Sequence, residues 1–277
     1  MRIIRVFPQR TSYTPDDDMV FIGEPPGLFI PEHDEIHISC TFTWDVKFCI
    51  HLKEQWEMFT DKPVLLGGPA FGSPCDTFTP GMYVKKGITF TSRGCNNRCP
   101  WCAVPNREGK LRTLQITEGN IIQDNNFLKL PHKHRNKVYE MLKTQKAICF
   151  KGGLKSNLIN SHFIKNIKQL KIKELWLACD TESALKPLIK ACKKLIKAGY
   201  TRNHIRCYAL IGRDMESEEK RLRAIYNAGA MPFAQLYQPV EKIAYSREWK
   251  KFARQWMRPA AINAHMERGT NLRDFNT

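Results

Sequence analysis

The residues of this sequence with the clearest potential for chemistry are three cysteines that lie close together. Cys95, Cys99 and Cys102 form a CxxxCxxC pattern within the stretch TSRGCNNRCPWCAVPNREG, and no fourth cysteine lies near them. Thiolates are preferred ligands of zinc, copper(I) and iron–sulfur clusters. Structural zinc needs four ligands, so a distant residue such as His51 or His132 would have to complete such a site. A cubane iron–sulfur cluster held by three cysteines would instead keep one iron open for another ligand.

The segment that contains these cysteines alternates between apolar runs and predicted helices. The clearest helix has an apolar stripe from Leu185 to Ile196 and a stop signal at Gly199. Strands joined by helices or long loops favour parallel pairing. Because the strands are apolar on both faces and end in polar residues, we predict a partial (β/α)6 barrel of TIM type with its site at the carboxyl ends. The six strands are expected at 87–92, 119–127, 146–153, 173–180, 204–212 and 231–239, and the other helices at about 132–145, 160–170 and 216–228.

The beginning of the chain predicts a separate small α/β domain. EIHISCTF and KPVLLGGPA have the pattern of strands, and DVKFCIHLKEQWEMF between them has helical spacing. The turn-rich stretch GSPCDTFTPGMYVKKG indicates a boundary. We therefore expect an α/β protein with a Rossmann-like domain at 1–86 and the barrel domain at 87–277, which would end in a closing helix. The alternative for that tail is a base-stacking platform formed by Trp249, Phe252, Trp256 and Met257.

The other seven cysteines are scattered, and most are expected to be small buried apolar residues. The chain shows no apolar core or cleavage site of a secretory signal, and no apolar run approaches the ~20 residues of a membrane span. We therefore expect a reduced, cytoplasmic protein without a membrane partner. The seven are Cys40, Cys49, Cys75, Cys149, Cys179, Cys192 and Cys207.

The net charge of +17 is concentrated after residue 86. Residues 1–86 contain 8 Lys and Arg against 12 Asp and Glu, whereas residues 87–277 contain 36 against 15, an excess of 21. Such an excess attracts nucleic acids or other polyanions. The plainer alternative is a set of solvated helix faces, as in KPLIKACKKLIKAGY, where lysines flank an apolar stripe.

The cysteine motif, Trp101 before its third cysteine and the strand–helix series behind it resemble the radical S-adenosylmethionine (radical SAM) superfamily over about residues 87–239. The resemblance implies that Cys95, Cys99 and Cys102 hold a [4Fe-4S] cluster whose open iron binds S-adenosylmethionine. It also implies a one-electron donor such as flavodoxin or ferredoxin. The cofactor would be cleaved to methionine and a 5′-deoxyadenosyl radical, which abstracts hydrogen from a substrate.

The resemblance further implies cofactor contacts at the strand ends. Asp180 is expected at the ribose hydroxyls, although it could instead cap the following helix. The family's Gly-Gly-Glu-like element is missing after the second strand, where Asp124 and Asn126 stand in its place. No catalytic acid is identified; Asp124 and Tyr237 are strand-end candidates for a proton donor. The expected cofactor-binding residues are Trp101, Asp124, Asn126, Gly152, Gly153, Asp180, Ile211 and Gly212.

Two branches of the superfamily are similar to parts of this chain. GCNNRCPWCAVPNREGKLR resembles the motif of methylthiotransferases, which modify tRNA or a ribosomal protein and carry a second cluster on three N-terminal cysteines. Cys40, Cys49 and Cys75 precede the motif here, but in different contexts. The N-terminal unit resembles a cobalamin-binding domain without the DxHxxG signature, and is therefore expected to be degenerate. We expect an enzyme of this second branch; a methylthiotransferase-like enzyme and a non-catalytic nucleic-acid-binding protein with a structural metal site remain alternatives.

Overall fold

The computed structural model describes residues 1–27, 29–72, 77–239 and 241–274, with side chains up to residue 268. These residues form two compact units, one of residues 1–119 with 241–242 and one of 120–239 with the residues from 243 onward. The first unit extends beyond the boundary expected at residue 86. One contact across this boundary is between the Phe78 and Phe90 rings, which meet edge to face at 5.2 Å.

The first unit is built on a four-stranded parallel sheet with the strand order β2-β1-β3-β4. Helix α1 packs on this sheet through Leu52 and Trp56, both fully buried, against Ile36 and Ile38 of β3. The predicted strand–helix–strand unit is confirmed, whereas β1 and β2 were not predicted. Their bounds are β1 Ile3–Phe7, β2 Val20–Ile22, β3 Glu35–Ser39, α1 Val46–Phe59 and β4 Val64–Gly67.

Short elements surround the cysteines in the rest of the first unit. They are β5 Ile88–Thr89, β6 Ser92–Arg93, α2 Val104–Glu108 and β7 Arg112–Thr113. The single strand expected at 87–92 is therefore divided into β5 and β6. The strand is divided because β6 pairs antiparallel with β7. The chain changes direction at Phe90, whose ring contacts the Phe78 ring and lies 3.9 Å from the guanidinium carbon of Arg93.

The second unit contains five parallel strands in the order β12-β11-β10-β9-β8, connected by helices. Alternate residues of β11, such as Cys207 and Ala209, are fully buried, while Arg206 and Tyr208 between them are half-buried. The elements are β8 Ile121–Ile122, α3 His132–Lys143, β9 Ile148–Leu154, α4 Ser161–Ile167, β10 Ile172–Ala178, α5 Glu182–Lys197, β11 Ile205–Ile211, α6 Met215–Asn227, β12 Met231–Leu236, α7 Arg247–Gln255 and α8 Pro259–Asp274.

The α/β class with parallel sheets is confirmed, and the partial barrel remains a prediction. The run 119–127 forms only the two-residue strand β8, because the chain then turns through QDNNF into a 3-10 helix at Phe127–Lys129. The tail forms two helices, α7 and α8, where one was expected. Among the residues that the structure describes, no helix has the length and apolar character to cross a membrane.

Candidate functional site

The cysteine loop, residues 94–111, is closed at its base by the β6–β7 pair. Gly94 adopts a positive φ of 76°, and a Cβ there would lie 2.2 Å from the Lys110 carbonyl oxygen, so only glycine fits. The Gly94 amide donates to the Glu108 carboxylate at 3.0 Å, and the Cys95 amide donates to the Gly109 carbonyl at 3.1 Å. These contacts join the first cysteine to the residues that end α2, and so define the path of the loop.

The three thiols of the loop differ in exposure. Cys95 is 8% exposed, and its sulfur accepts the Asn97 amide at 3.4 Å. Cys99 and Cys102 are half-buried, and the Cys102 amide donates to the Cys99 carbonyl at 3.0 Å. Trp101 lies between them, also half-buried. Three sulfur donors within one short loop match the ligand preference of iron–sulfur clusters and of zinc.

The three thiols of the loop do not converge into a set of metal ligands in this structure. In the described parts of the chain, no three His, Cys, Asp or Glu side chains are placed so that they could hold a metal ion. His51, considered above as a fourth zinc ligand, has its Nε2 3.7 Å from the Glu24 carboxylate. The His132 ring meets the His162 ring edge to face at 4.9 Å.

The scattered cysteines are buried in apolar surroundings, as expected. Burial raises the pKa of Cys179 to about 12 and that of Cys192 to about 11, and it raises the pKa of Cys149. Cys40 and Cys49 share a hydrogen bond in the core of the first unit, which lowers the pKa of Cys40 and raises that of Cys49. Cys75 lies outside the described residues. The buried residues are Cys40, Cys49, Cys149, Cys179, Cys192 and Cys207.

Asp124 and Asn126 follow β8 at the carboxyl edge of the second sheet, and both are buried, at 2% and 3% exposure. The backbone of Gly152 passes so close that a Cβ there would lie 1.8 Å from the Asp124 carbonyl oxygen. The Phe127 ring anchors the turn against Phe150 at 5.1 Å. The structure thus brings Asp124, Asn126 and Gly152 together at one strand end.

Gly152 and Gly153 were expected at the carboxyl end of the third strand of the barrel domain, and they lie inside β9, which continues to Leu154. The register to β10 shifts between Phe150 and Leu154, and Gly153 has a positive φ of 85° within this irregular stretch. The glycines therefore lie in a bulge-like irregularity of the strand. Bulges are common next to active sites, where they redirect the backbone.

Asp180 follows β10, and its side chain accepts a hydrogen bond from the backbone of the next strand, β11. Its Oδ1 accepts the Leu210 amide at 2.9 Å, and its carbonyl oxygen accepts Arg221 at 2.8 Å. Arg221 is 7% exposed and also donates to the Leu210 carbonyl at 2.5 Å. The helix α5 begins after Thr181, whose side chain makes no capping bond. One carboxylate oxygen of Asp180 thus binds the backbone of β11 at the carboxyl edge, and the capping alternative stays a prediction.

Gly212 follows β11 with a positive φ of 125°. Its amide donates to both Glu218 carboxylate oxygens, at 3.1 and 3.0 Å, and a Cβ there would lie 2.4 Å from the Tyr245 hydroxyl oxygen. That hydroxyl donates to the Tyr237 carbonyl at 2.7 Å. Burial, with the nearby Glu218 carboxylate, raises the pKa of Tyr245. The Ile211 side chain is 1% exposed and belongs to the core.

Sequence reasoning missed a layer of side chains on the strands of the second unit. The rings of Trp176 and Tyr208 stack at 4.4 Å, and Phe233 meets Trp176 edge to face at 5.5 Å. The Glu174 carboxylate accepts the Trp176 indole N–H at 2.8 Å and lies 3.7 Å from the Arg206 Nε. This layer could have been predicted from the two-residue alternation in KELWLACD and HIRCYALIG, because every second residue of a strand lies on the same face of the sheet.

The aromatic residues of the tail mainly pack against the second unit. Trp256 is fully buried, and its indole N–H donates to Glu219 at 2.6 Å; Phe252 is 9% exposed. The Ala234 amide of β12 donates to the Trp256 carbonyl at 3.0 Å. A base-stacking role for Phe252 and Trp256 is therefore wrong, since their rings are inside the fold.

No family model matches the chain, and no curated protein matches it. The chemistry of the site is therefore argued from its residues. The first unit offers three thiols on a hydrogen-bonded loop, and the second offers two acidic side chains, Asp124 and Asp180, at the carboxyl ends of parallel strands.

Proposed function

We propose that this protein is a radical SAM enzyme in which Cys95, Cys99 and Cys102 hold a [4Fe-4S] cluster. The observation that carries the proposal is the cysteine loop itself, with three soft donors and no hard oxygen ligand in the CxxxCxxC pattern. When bound, the cluster would pass one electron to S-adenosylmethionine at its open iron, and the broken S–C5′ bond would yield methionine and a 5′-deoxyadenosyl radical that takes a hydrogen atom from substrate.

The residues of the loop support this role in two ways. The N–H of Asn97 points at the Cys95 sulfur, and such hydrogen bonds stabilise a thiolate ligand and tune the cluster potential. The half-buried Trp101 between the second and third ligands offers an apolar surface for the adenine and limits the access of water.

The carboxyl edge of the second sheet supports binding of the rest of the cofactor. Carboxylates such as Asp124 and Asp180 accept hydrogen bonds from an ammonium group or from the hydroxyls of a ribose. In the proposal, Asp124 with Asn126 binds the methionyl part and Asp180 binds the ribose. Gly153 has no atom within 4 Å of an added Cβ position, so the cofactor could approach the backbone there, whereas Gly152 and Gly212 are packed against Asp124 and Tyr245.

The decisive experiment is anaerobic reconstitution of the full chain with ferrous iron and sulfide. We expect a brown protein with about four irons per chain and absorbance near ~400 nm, as for thiolate-bound iron. After addition of reduced flavodoxin or dithionite with S-adenosylmethionine, mass spectrometry should detect 5′-deoxyadenosine. A colourless, inert protein that binds one zinc instead would refute the proposal and favour the non-catalytic alternative.

The same iron measurement distinguishes the methylthiotransferase alternative. A second cluster would raise the iron content to about eight per chain. It would also require Cys40 and Cys49 to leave the hydrogen bond that they share in the core.

A further inference from the structure

A basic groove in the second unit lies apart from the strand ends that the proposed function uses. It is a cavity of about 970 Å³ between α6, β12, α7 and α8. None of the described residues that line it is acidic. Its positively charged or ionisable lining residues are Arg223, Lys251, Arg254, Arg258, His265 and Arg268.

Two members of this set contact the same acidic side chain, whereas no ion pair is found for Lys251, Arg254 and Arg258 among the described residues. The Glu219 carboxylate lies 2.7 Å from the Arg223 Nε and 2.6 Å from the His265 Nε2, so its one negative charge offsets that of Arg223. Lys251, Arg254 and Arg258 are exposed and stand at the rim. Like charges gathered along one groove repel each other, and a bound polyanion would relieve that repulsion.

The floor of the groove is apolar. Phe233, Met257 and Ala261 line it between the cationic side chains, and Met257 is 39% exposed although it is a large apolar residue. A ligand that fits must therefore present both negative charge and flat apolar surface. A single nucleic-acid strand has these two properties, because its phosphates are charged and its bases are uncovered.

The lysines of α5 differ from the cationic residues of the groove. Lys186, Lys190, Lys193 and Lys197 are exposed on the solvent side of a helix whose apolar stripe, including Leu188 and Cys192, is buried. They line no comparable cavity among those described. This part of the positive charge fits the solvated-face alternative, whereas the groove does not.

We propose that the groove between α6, β12, α7 and α8 binds single-stranded nucleic acid, with the exposed cations on phosphates and the apolar floor against bases. This proposal is independent of the cluster and of cofactor cleavage. The test uses the reconstituted full chain and a fluorescein-labelled 12-nucleotide oligouridylate, with binding followed by fluorescence anisotropy across a potassium chloride series.

Neighbouring lysines of α7 provide matched variants. Lys251 lines the groove, whereas Lys250 is also exposed but lies outside it. We expect Lys251→Gln to weaken binding about fivefold, the effect of one lost contact between unit charges in water. The slope of log K against log salt should become shallower by about 0.7, the value for one phosphate of a single strand. Lys250→Gln should change neither quantity.

The double variant Arg254→Glu and Arg258→Glu should lose at least about tenfold in affinity, and Lys193→Glu with Lys197→Glu on α5 is its control with the same change of charge. A duplex of the same length should bind more weakly than the single strand, because its bases are covered. Equal losses in the groove and control variants, or a duplex that binds as well as the single strand, would overturn the proposal. Circular dichroism of each variant confirms that it folds.

Discussion

The cysteine loop of the first unit and the parallel sheet of the second hold their cysteines in opposite environments. Cys99 and Cys102 are half-buried on a loop whose contacts join residues near each other in the sequence, such as Gly94 with Glu108. Cys179 and Cys192 are fully buried, where burial raises their pKa. Local hydrogen bonds thus shape a loop and leave Cys99 and Cys102 partly exposed, whereas long-range packing encloses Cys179 and Cys192 and favours their protonated form.

The largest expected effect comes from removing a thiol of the loop. In the proposed function, Cys99→Ala leaves two ligands, which are too few to hold a [4Fe-4S] cluster. We expect iron content after reconstitution to fall from about four to below about one per chain, and 5′-deoxyadenosine release to disappear. Iron analysis and mass spectrometry measure both quantities.

The matched control is Cys192→Ala in the second unit. This thiol packs in the apolar stripe of α5, so its removal should cost about 1–2 kcal/mol of unfolding free energy and leave the iron content unchanged. If Cys192→Ala loses iron as completely as Cys99→Ala, the contrast between ligand and packing cysteines is wrong.

The second expected effect concerns the close backbone approach at the carboxyl edge. Gly152→Ala would place a Cβ 1.8 Å from the Asp124 carbonyl oxygen, so strand or turn must move. We expect a loss of about 3 kcal/mol or more in unfolding free energy, measured by urea denaturation. Under the proposed function, cofactor cleavage should also fall, while the iron content stays at the wild-type value.

Gly67→Ala is the control for Gly152→Ala, because Gly67 also lies in a strand and has no atom within 4 Å of the added Cβ position. Its unfolding free energy should change by less than about 1 kcal/mol. Equal stability of the two variants would show that the strand end adapts without cost.

The third expected effect is a pH dependence of stability that comes from the buried thiol of Cys179. The pKa of Cys179 is raised from 9.0 to about 12 by burial, so the folded state binds this proton more tightly than the unfolded state. The resulting stability is complete below pH 9.0 and is lost as the pH rises toward 12. Each thiol of this kind should contribute a fall of about 1.4 kcal/mol per pH unit in that window.

Urea denaturation at several pH values from neutral to alkaline tests this prediction. The fall in unfolding free energy should be smaller in Cys179→Ala than in the wild type, because the variant has lost the titrating group. Parallel curves for the two proteins would show that Cys179 does not titrate as its burial requires.

Local pattern was sufficient for most elements of the fold. The stripe from Leu185 to Ile196 and the stop at Gly199 predicted α5, which spans Glu182–Lys197. The prediction of 87–92 as one strand was wrong, because β5 ends at Thr89 and Ser92 pairs with Thr113 of β7 in a separate strand. The extent of a strand such as β8 depends on the strand with which it pairs. The periodicity of apolar residues does not show which strand that partner is.

The candidate site was predictable only in part, and Gly152 and Asp180 show why. Both were identified as residues near strand ends, but the bulge around Gly152 and the bond from Leu210 to Asp180 depend on adjacent strands. Glu218 was missed because nothing in its sequence neighbourhood indicates that its carboxylate accepts the Gly212 amide.

By itself, the sequence determined which chemistry is available, because the spacing of the cysteines along the chain is fixed by its covalent structure. Three sulfur donors within a few residues limit the classes of metal that the loop can bind. It also determined the alternation of strands and helices, which follows from local propensity and periodicity. Tertiary structure alone decided which cysteines are enclosed, which backbone groups Asp180 and Glu218 hold, and which positive charges line a groove. Those properties depend on distances between residues far apart in the chain, and only packing sets such distances.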